Sequence, residues 1–310
     1  MTPKILLAGR EGQVGTELST LLSGIGEVVA VGRQQFDLTD PSNMREMIRD
    51  VHPELIVNAA AYTAVDLAEK EESLARSINS DAPGVMAEEA KKIGAALVHY
   101  STDYVFDGSK NAPYEESDRV NPINVYGRTK FAGEEAIRNT GVPHLIFRTQ
   151  WVYGTRGRNF LLTILRLATQ RGELRIVSDQ FGAPTSSQAI AHATANILRS
   201  LFQPEDYASS FDRVSGTYHM TAAGQATWHE FASAIIDDVS RVPPTGSWFA
   251  DATSAKPLLT RRVIPISSKD YPTPARRPAY GALSGQRLSQ TFGVKLPDWH
   301  AELRAVLASD

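Results

Sequence analysis

Three glycines, at positions 9, 12 and 15, follow directly on an apolar run, Lys4 to Ala8, and open an amphipathic segment, Gln13 to Leu22. That order constrains the chain more than any other feature. A strand that turns through Gly-x-x-Gly-x-x-Gly into a helix lets its backbone approach a phosphate group closely, and the helix start favours the anion. The first glycines permit the tight turn, and the last lets helix pack on strand. A glycine pattern alone is weak, and an ordinary glycine turn is the plainer reading. The strand-turn-helix setting gives the pattern its meaning. The segment therefore reads as the phosphate turn of a dinucleotide site, with Gly9, Glu11, Gly12, Gln13, Val14 and Gly15 as candidate contacts.

The strand-helix rhythm continues. Strands are predicted at Glu27 to Val31, Leu55 to Asn58, Ala96 to Ser101 and Leu145 to Arg148. Helices are predicted from Asp40-Pro41, where proline at the first helical position follows an acid, and over Ser80 to Ile93 and Tyr126 to Asn139. Apolar strands without alternation imply a parallel sheet covered on both faces. After Trp151 the pattern changes. Helices are predicted over Asn159 to Arg171, Pro184 to Leu201, Trp228 to Val239 and Asp298 to Leu307, with short strands at Leu174 to Val177 and Thr217 to Met220. Gln203 to Ser215 is polar and reads as a loop, and prolines between 243 and 278 prevent one regular helix there. The expected fold class is α/β, a Rossmann-type doubly wound parallel sheet with a smaller C-terminal α/β substrate lobe. Residues 1–150 form the dinucleotide-binding domain and 151–310 the substrate lobe, with a strand-helix unit near 216–240 able to rejoin the first.

Composition excludes several classes. The 310 residues contain no cysteine, so disulfides, thiolate catalysis and zinc-thiolate sites are ruled out. A formal charge of −3 provides no basic field for nucleic acid. No apolar run approaches the roughly 18 to 20 residues needed to cross a bilayer, and the first residues lack the features of a signal peptide. No membrane partner is expected, and the location reads as cytoplasmic. The seven histidines are scattered without an HExxH pair, so no histidine-built metal site is expected.

Two features refine the chemistry. The second strand ends Val31-Gly32-Arg33, where an NAD-preferring site usually carries an acid for the ribose 2′-hydroxyl. Arg33, with Arg10 as a second candidate, can pair with a 2′-phosphate, and no carboxylate follows to repel it. NADPH is favoured over NADH on this ground; solvated surface arginines are the alternative. Tyr126 and Lys130 stand at i and i+4, on one face of a helix. Hydride attack on a carbonyl makes an alkoxide that needs a proton, which a tyrosine can supply. A nearby ammonium favours the phenolate and can hold the nicotinamide ribose. His99 to Gly108 contains Ser101-Thr102-Asp103-Tyr104 at a strand's C-terminal end, where ligands collect in open parallel sheets. Thr102 is placed to donate to a carbonyl oxygen, and Ser101 to cap the strand end.

Together these segments resemble the extended short-chain dehydrogenase/reductases and, within them, the dTDP-4-dehydrorhamnose reductase family. The resemblance is carried by Gly9 to Gly15, Val57 to Asp66 (VNAAAYTAVD), Ser101 to Phe106 (STDYVF), Asn124 to Gly127 with Lys130, and Phe147-Arg148-Thr149 with Trp151-Val152-Tyr153. Asp179 to Thr185 (DQFGAPT) and Tyr271 to Pro278 (YPTPARRP), in the substrate lobe, are the most specific. The resemblance implies NADPH-dependent reduction, NADH being possible, of the 4-keto group of dTDP-4-dehydro-β-L-rhamnose. Tyr126 would be the acid, Lys130 its modulator and ribose ligand, and Thr102 the carbonyl donor. Asn58 to Thr63 would line the cofactor, with Ala61, Tyr62 and Thr63 among its contacts; Asp37 and Leu38 would lie near the adenine, and Tyr100 beside the cofactor. Val65, Asp66, Asp103 and Trp151 would contact the dTDP-sugar. The stretch around Asn159, with Arg276 and Arg277, would engage its diphosphate or order the lobe, and for the arginines a salt bridge to the lobe's own acids is an equal reading. Some family members form a dimer held by Mg²⁺ through glutamates. Glu17 matches one such position, but Gln188 stands where a second glutamate is expected, and an amide is the poorer ligand. Mg²⁺ is therefore in doubt and the chain is a monomer or homodimer. The rival readings are a reductase of another nucleotide-linked 4-keto-6-deoxysugar, an epimerase that recycles its cofactor, and a non-catalytic dinucleotide-binding regulatory subunit.

Overall fold

The computed structural model describes residues 2–203 and 207–310. The chain opens β1 (Lys4–Ala8), α1 (Gln13–Leu22), β2 (Glu27–Val31), α2 (Pro41–Val51), β3 (Leu55–Asn58). Asp40 caps α2 by accepting from the Ser42 and Asn43 amides, as its place before Pro41 predicts. Two short helices, α3 (Val65–Ala68) and α4 (Glu72–Arg76), follow. A single π turn (Ser77–Asp81) runs from α4 into α5 (Ala82–Ile93), so helical backbone begins before the predicted Ser80. Then come β4 (Ala96–Thr102), α6 (Val125–Thr140) and β5 (His144–Thr149). Asn124 caps α6 by accepting from the Gly127 amide at 2.8 Å.

The second half contains β6 (Val152–Tyr153), α7 (Phe160–Ala168), β7 (Glu173–Val177), β8 (Phe181–Gly182), β9 (Thr185–Ser186), α8 (Ser187–Phe202) and α9 (Tyr207–Arg213). It continues with β10 (Gly216–His219), β11 (Ala226–Thr227), α10 (Trp228–Arg241), α11 (Ser247–Thr253), β12 (Arg262–Ile266), α12 (Gln286–Phe292) and α13 (Trp299–Leu307). The loop expected over Gln203 to Ser215 is overturned at 207–213, which is helical; 204–206 lie outside the described residues. Polar composition misled here because the helix is anchored by Phe211, which is fully buried. The start of the helix expected at Pro184 is also corrected. Thr185–Ser186 pair with β6, and the Ser186 hydroxyl then caps α8.

The main sheet is parallel, in the order β10-β5-β4-β3-β1-β2. The chain runs outward from β1 to β2, then returns to β1's other side as β3. The strand order thus reverses between β1 and β3, the place where such sheets bind ligands. Residues of α1 and α8 pack on one face of the sheet, and residues of α2, α5 and α6 on the other. Both faces are therefore covered, which is why β3, β4 and β5 are buried throughout and show no alternation. A separate core joins Leu161, Leu165, Phe231, Ile235, Trp248 and Leu303 from α7, α10, α11 and α13. Among the described residues, no helix is long and apolar enough to cross a membrane.

Candidate active site

The glycine turn lies at the switch point. Gly9 adopts φ +87°, and a Cβ there would come within 2.7 Å of the Ala60 amide nitrogen at the exit of β3. A Cβ at Gly15 would collide with the Gly9 carbonyl oxygen. Gly12 begins α1 without a side-chain cap, and no acid occupies the first turn. An uncapped, acid-free helix start beside close-packed glycine backbone suits a pyrophosphate, so these residues fit a dinucleotide. Val14 packs into the sheet core, while Gln13 accepts a 2.8 Å bond from Asn159 across the two halves of the chain. At the end of β2, Arg33 is exposed and its charge acts on Asp37. The Thr39 amide and hydroxyl bind the Asp37 carboxylate and, helped by Arg33, keep its pKa below the ordinary value. Leu38 is buried in the core. One expectation needs correcting. An acid does stand at this position, because the Glu11 carboxylate lies where a Gly32 side chain would be. It arrives from the turn, so the local sequence of β2 does not reveal it.

Beyond β3, Ala61 and Thr63 are exposed beside half-buried Tyr62. Asn79, fully buried in the π turn, holds this stretch by both ends of its amide. It accepts from the Tyr62 amide at 2.9 Å and donates to the Tyr62 carbonyl at 3.0 Å. The Tyr62 hydroxyl donates to Glu71 at 2.7 Å, and burial raises its pKa to about 12.

The catalytic candidates meet at the C-terminal end of β4. The Tyr126 ring sits edge-on to Tyr104, centroids 5.5 Å apart. Burial pushes the phenol's pKa up to about 12, and the nearby Thr102 hydroxyl partly offsets that. The Thr102 hydroxyl donates to Asp103 at 3.1 Å and accepts from the Tyr104 amide at 3.2 Å. Asp103 is buried, and burial lifts its carboxyl to about 7 despite the Thr102 bond. Lys130 is buried as well and burial draws its amine down to about 8. The amine donates to the Tyr100 carbonyl at 2.6 Å and lies 3.1 Å from His99 Nε2. The helix places Tyr126 and Lys130 on one face, and the lysine amine turns to β4. Tyr100 faces the site only through that carbonyl, since its phenol bonds Thr194 at 2.7 Å within the core.

Ser101 does not cap the strand end. It donates to buried Glu134, which also holds Arg148 at 2.7 Å and Arg138 at 3.2 Å. Val65 and Asp66 begin α3. Asp66 is tied to Arg277 by two 2.9 Å contacts and accepts the Ala275 amide. Arg277 is thus salt-bridged, but to an acid of the first 150 residues rather than to one of the lobe's own. Trp151 adopts φ +46° and stacks on Trp228 at 3.5 Å, while a Cβ at Gly182 would strike its ring. Glu17 is half-buried on α1. Among the described residues, no group of three His, Cys, Asp or Glu side chains within the chain could hold a metal. Sequence reasoning missed Asn79, His99 and Glu134 as site supports. Their partners lie 17 to 50 residues away for Asn79, 31 and 41 for His99 and 14 and 33 for Glu134. No local spacing marks Asn79 or His99, and the i,i+4 pair of Glu134 with Arg138 does not reveal its bonds to Ser101 and Arg148.

A family model described as the RmlD substrate binding domain matches residues 3–310. A dTDP-4-dehydrorhamnose reductase of Burkholderia thailandensis is 48% identical, over 96% of this chain and 95% of its own length. One from Escherichia coli is 39% identical, over 98% and 96%. A crystal structure of the Bacillus anthracis dTDP-4-dehydrorhamnose reductase, solved in complex with NADP, superposes with a TM-score of 0.85 at 30% identity and covers 99% of both chains. Similarity of this extent, carried from the glycine turn to the last helix, shows that the chain belongs to the dTDP-4-dehydrorhamnose reductase family.

Proposed function

We propose that this protein reduces the 4-keto group of dTDP-4-dehydro-β-L-rhamnose with NADPH to give dTDP-β-L-rhamnose, the last step of dTDP-rhamnose synthesis. The observation that carries the proposal is buried Thr102 at the end of β4 with Tyr126 packed edge-on to the neighbouring Tyr104, Lys130 one helical turn on and an uncapped glycine turn nearby. The bound dinucleotide supplies the hydride for C4. Tyr126 then gives its proton to the sugar O4, and Thr102 donates to the developing oxyanion. Lys130, whose amine lies at the junction of β4 and α6, would hold the nicotinamide ribose. Gly9, Glu11, Gly12, Gln13, Val14 and Gly15 form the pyrophosphate cradle, Arg33 meets the 2′-phosphate, and Asp37 and Leu38 border the adenine. Ala61, Tyr62, Thr63 and the Tyr100 carbonyl line the remaining cofactor wall. Val65, Asp66, Asp103 and Trp151 border the sugar nucleotide.

The first domain, in this reading, is residues 1–150 joined by α8 and β10, whose side chains share its core; most of 151–310 forms the substrate lobe. The protein works in the cytoplasm as a monomer or homodimer. A specific observation favours NADH as a second cofactor: the Glu11 carboxylate at Gly32 is placed to accept from a ribose hydroxyl. The test is NADPH and NADH oxidation against a panel of nucleotide 4-ketosugars, with product stereochemistry by NMR. The expected outcome is turnover of the dTDP-linked 4-ketosugar to the L-rhamno product with a preference for NADPH. A different preferred sugar would favour the reductase of another 4-keto-6-deoxysugar, and no turnover of any would favour a non-catalytic role.

A further inference from the structure

The Asn124 side chain does more than begin α6. Its Oδ1 accepts from the Gly127 amide at 2.8 Å, which is the cap, and its Nδ2 donates to the Arg276 carbonyl at 2.8 Å, 152 positions away. A cap needs an acceptor alone, and Asp or Ser supplies one as well as Asn does. The donor end is what distinguishes asparagine here, and it goes to the segment around Arg276. Asn124 is 1% exposed, so its polar atoms depend on these two partners. Both regions joined in this way border the chemistry. Tyr126 is the second residue of α6. The first turn of that helix rests on the Tyr104 carbonyl, with which a Cβ on Gly127 would collide, and the Val125 amide donates to Glu69 at 2.8 Å.

On the other side, the Ala275 amide and the Arg277 guanidinium bind Asp66, at 3.1 Å and 2.9 Å. Gly281 packs so closely on Asp103 that a Cβ there would lie 2.6 Å from Oδ2. Residues 275–281 thus run from Asp66 to Asp103, the two acids that border the sugar nucleotide in the proposed reading, and the Asn124 bond falls between them. Glu69 and Tyr104 fix the first turn of α6 from the first half of the chain; Arg276 fixes it from the segment that carries these contacts. We propose that Asn124 is a positioning residue: through its amide, residues 275–281 set the distance of the Tyr126 phenol from the sugar ketone. Reacting atoms must come within about 3 to 3.5 Å, and a misplacement of about 1 Å can cost about 10²-fold in rate. The bond therefore acts on the chemical step, and dinucleotide affinity does not depend on it.

The inference rests on the proposed reductase activity, and one arm of its test needs no turnover. Asn124→Ser keeps a capping oxygen and is too short to reach the Arg276 carbonyl; Asn124→Asp keeps the cap and has no donor. In the ligand-free protein, hydrogen exchange of the Ala275 amide should quicken by about three- to tenfold in Asn124→Ser, the effect of one lost hydrogen bond. The Gly127 amide should stay as protected as in the wild type. In single-turnover reduction both variants should be about 10- to 100-fold slower, with the Kd for NADPH and the melting temperature of Asn124→Ser unchanged. Asn124→Ala, which loses the cap as well, should also melt lower. A wild-type rate in Asn124→Ser would overturn the proposal. So would a rate loss confined to Asn124→Ala and matched by its lower melting temperature, which is the behaviour of a cap alone. A raised KM for the sugar nucleotide at wild-type rate would overturn it too, since the bond would then serve binding. Unchanged Ala275 exchange would overturn it whatever the assay gives. A wild type inert toward every sugar nucleotide would sink the reductase reading, and the catalytic part of the proposal with it, even where Ala275 responds as expected.

Discussion

Gly15 illustrates how far one missing methyl group determines the site. A Cβ there would collide with the Gly9 carbonyl, and backbone cannot swing aside as a side chain can. Gly15→Ala should therefore weaken dinucleotide binding by at least about tenfold, the equivalent of about 1.4 kcal/mol, measured by fluorescence titration with NADPH. Unchanged affinity would mean the turn does not contact the pyrophosphate. The glycines were legible because their constraint is local. The direction of the Lys130 amine was not, because His99 and the Tyr100 carbonyl that capture it come from β4, about 30 residues earlier. Asp103 allows a stability test. Its carboxyl is raised to about 7 in the fold and is near 4 in an unfolded chain. Its stabilising contribution is thus complete below about pH 4 and is lost as pH rises through about 7. Asp103→Asn should gain stability relative to the wild type between pH 5 and pH 8 in urea unfolding; a constant difference would show that Asp103 does not titrate there.

At the scale of elements, most strands and helices were readable from their apolar runs, and several helices add a cap: Asp40 for α2, Asn124 for α6 and Asn159 for α7. The failures have physical causes. The π turn that puts Asn79 on the β3 exit has no distinct sequence signal, although such turns gather at functional sites. How α6 is fixed against the sheet was equally hidden. Glu134 on α6 is buried without exposure and held by Arg148 of β5, itself 3% exposed, and by Ser101 of β4. Burial opposes the Glu134 charge, but the Arg148 and Ser101 bonds outweigh it and keep the pKa low. Removing one partner of a buried pair leaves the other charge uncompensated. Arg148→Met should cost about 3 kcal/mol, read as a lower urea midpoint, because α6 carries Tyr126 and Lys130. A midpoint within experimental error of the wild type would mean Arg138 alone satisfies Glu134.

For the molecule as a whole, the two halves meet where sequence analysis located the chemistry, between the C-terminal ends of the main strands and the segments after Trp151. Asn159 reaches Gln13, and Arg277 reaches Asp66, 211 positions earlier. The function of YPTPARRP was legible only as a resemblance, since no periodicity reveals which acid an arginine will meet. Because Asp66 is partly exposed, its bond to Arg277 should add about 1 kcal/mol at most to stability; Arg277→Ala should act on the KM for the sugar nucleotide, with little change in melting temperature. The amide of Gln188 in place of a carboxylate predicts the same molar mass by light scattering in Mg²⁺ and in EDTA; a mass that falls on chelation would restore a metal-linked dimer. The central claim is that the Tyr126 phenol is the acid for the sugar ketone. Single-turnover hydride transfer from NADPH to dTDP-4-dehydro-β-L-rhamnose by Tyr126→Phe tests it most directly. The rate should drop by about 10² to 10⁴-fold with NADPH affinity retained, whereas a near-normal rate would contradict the account.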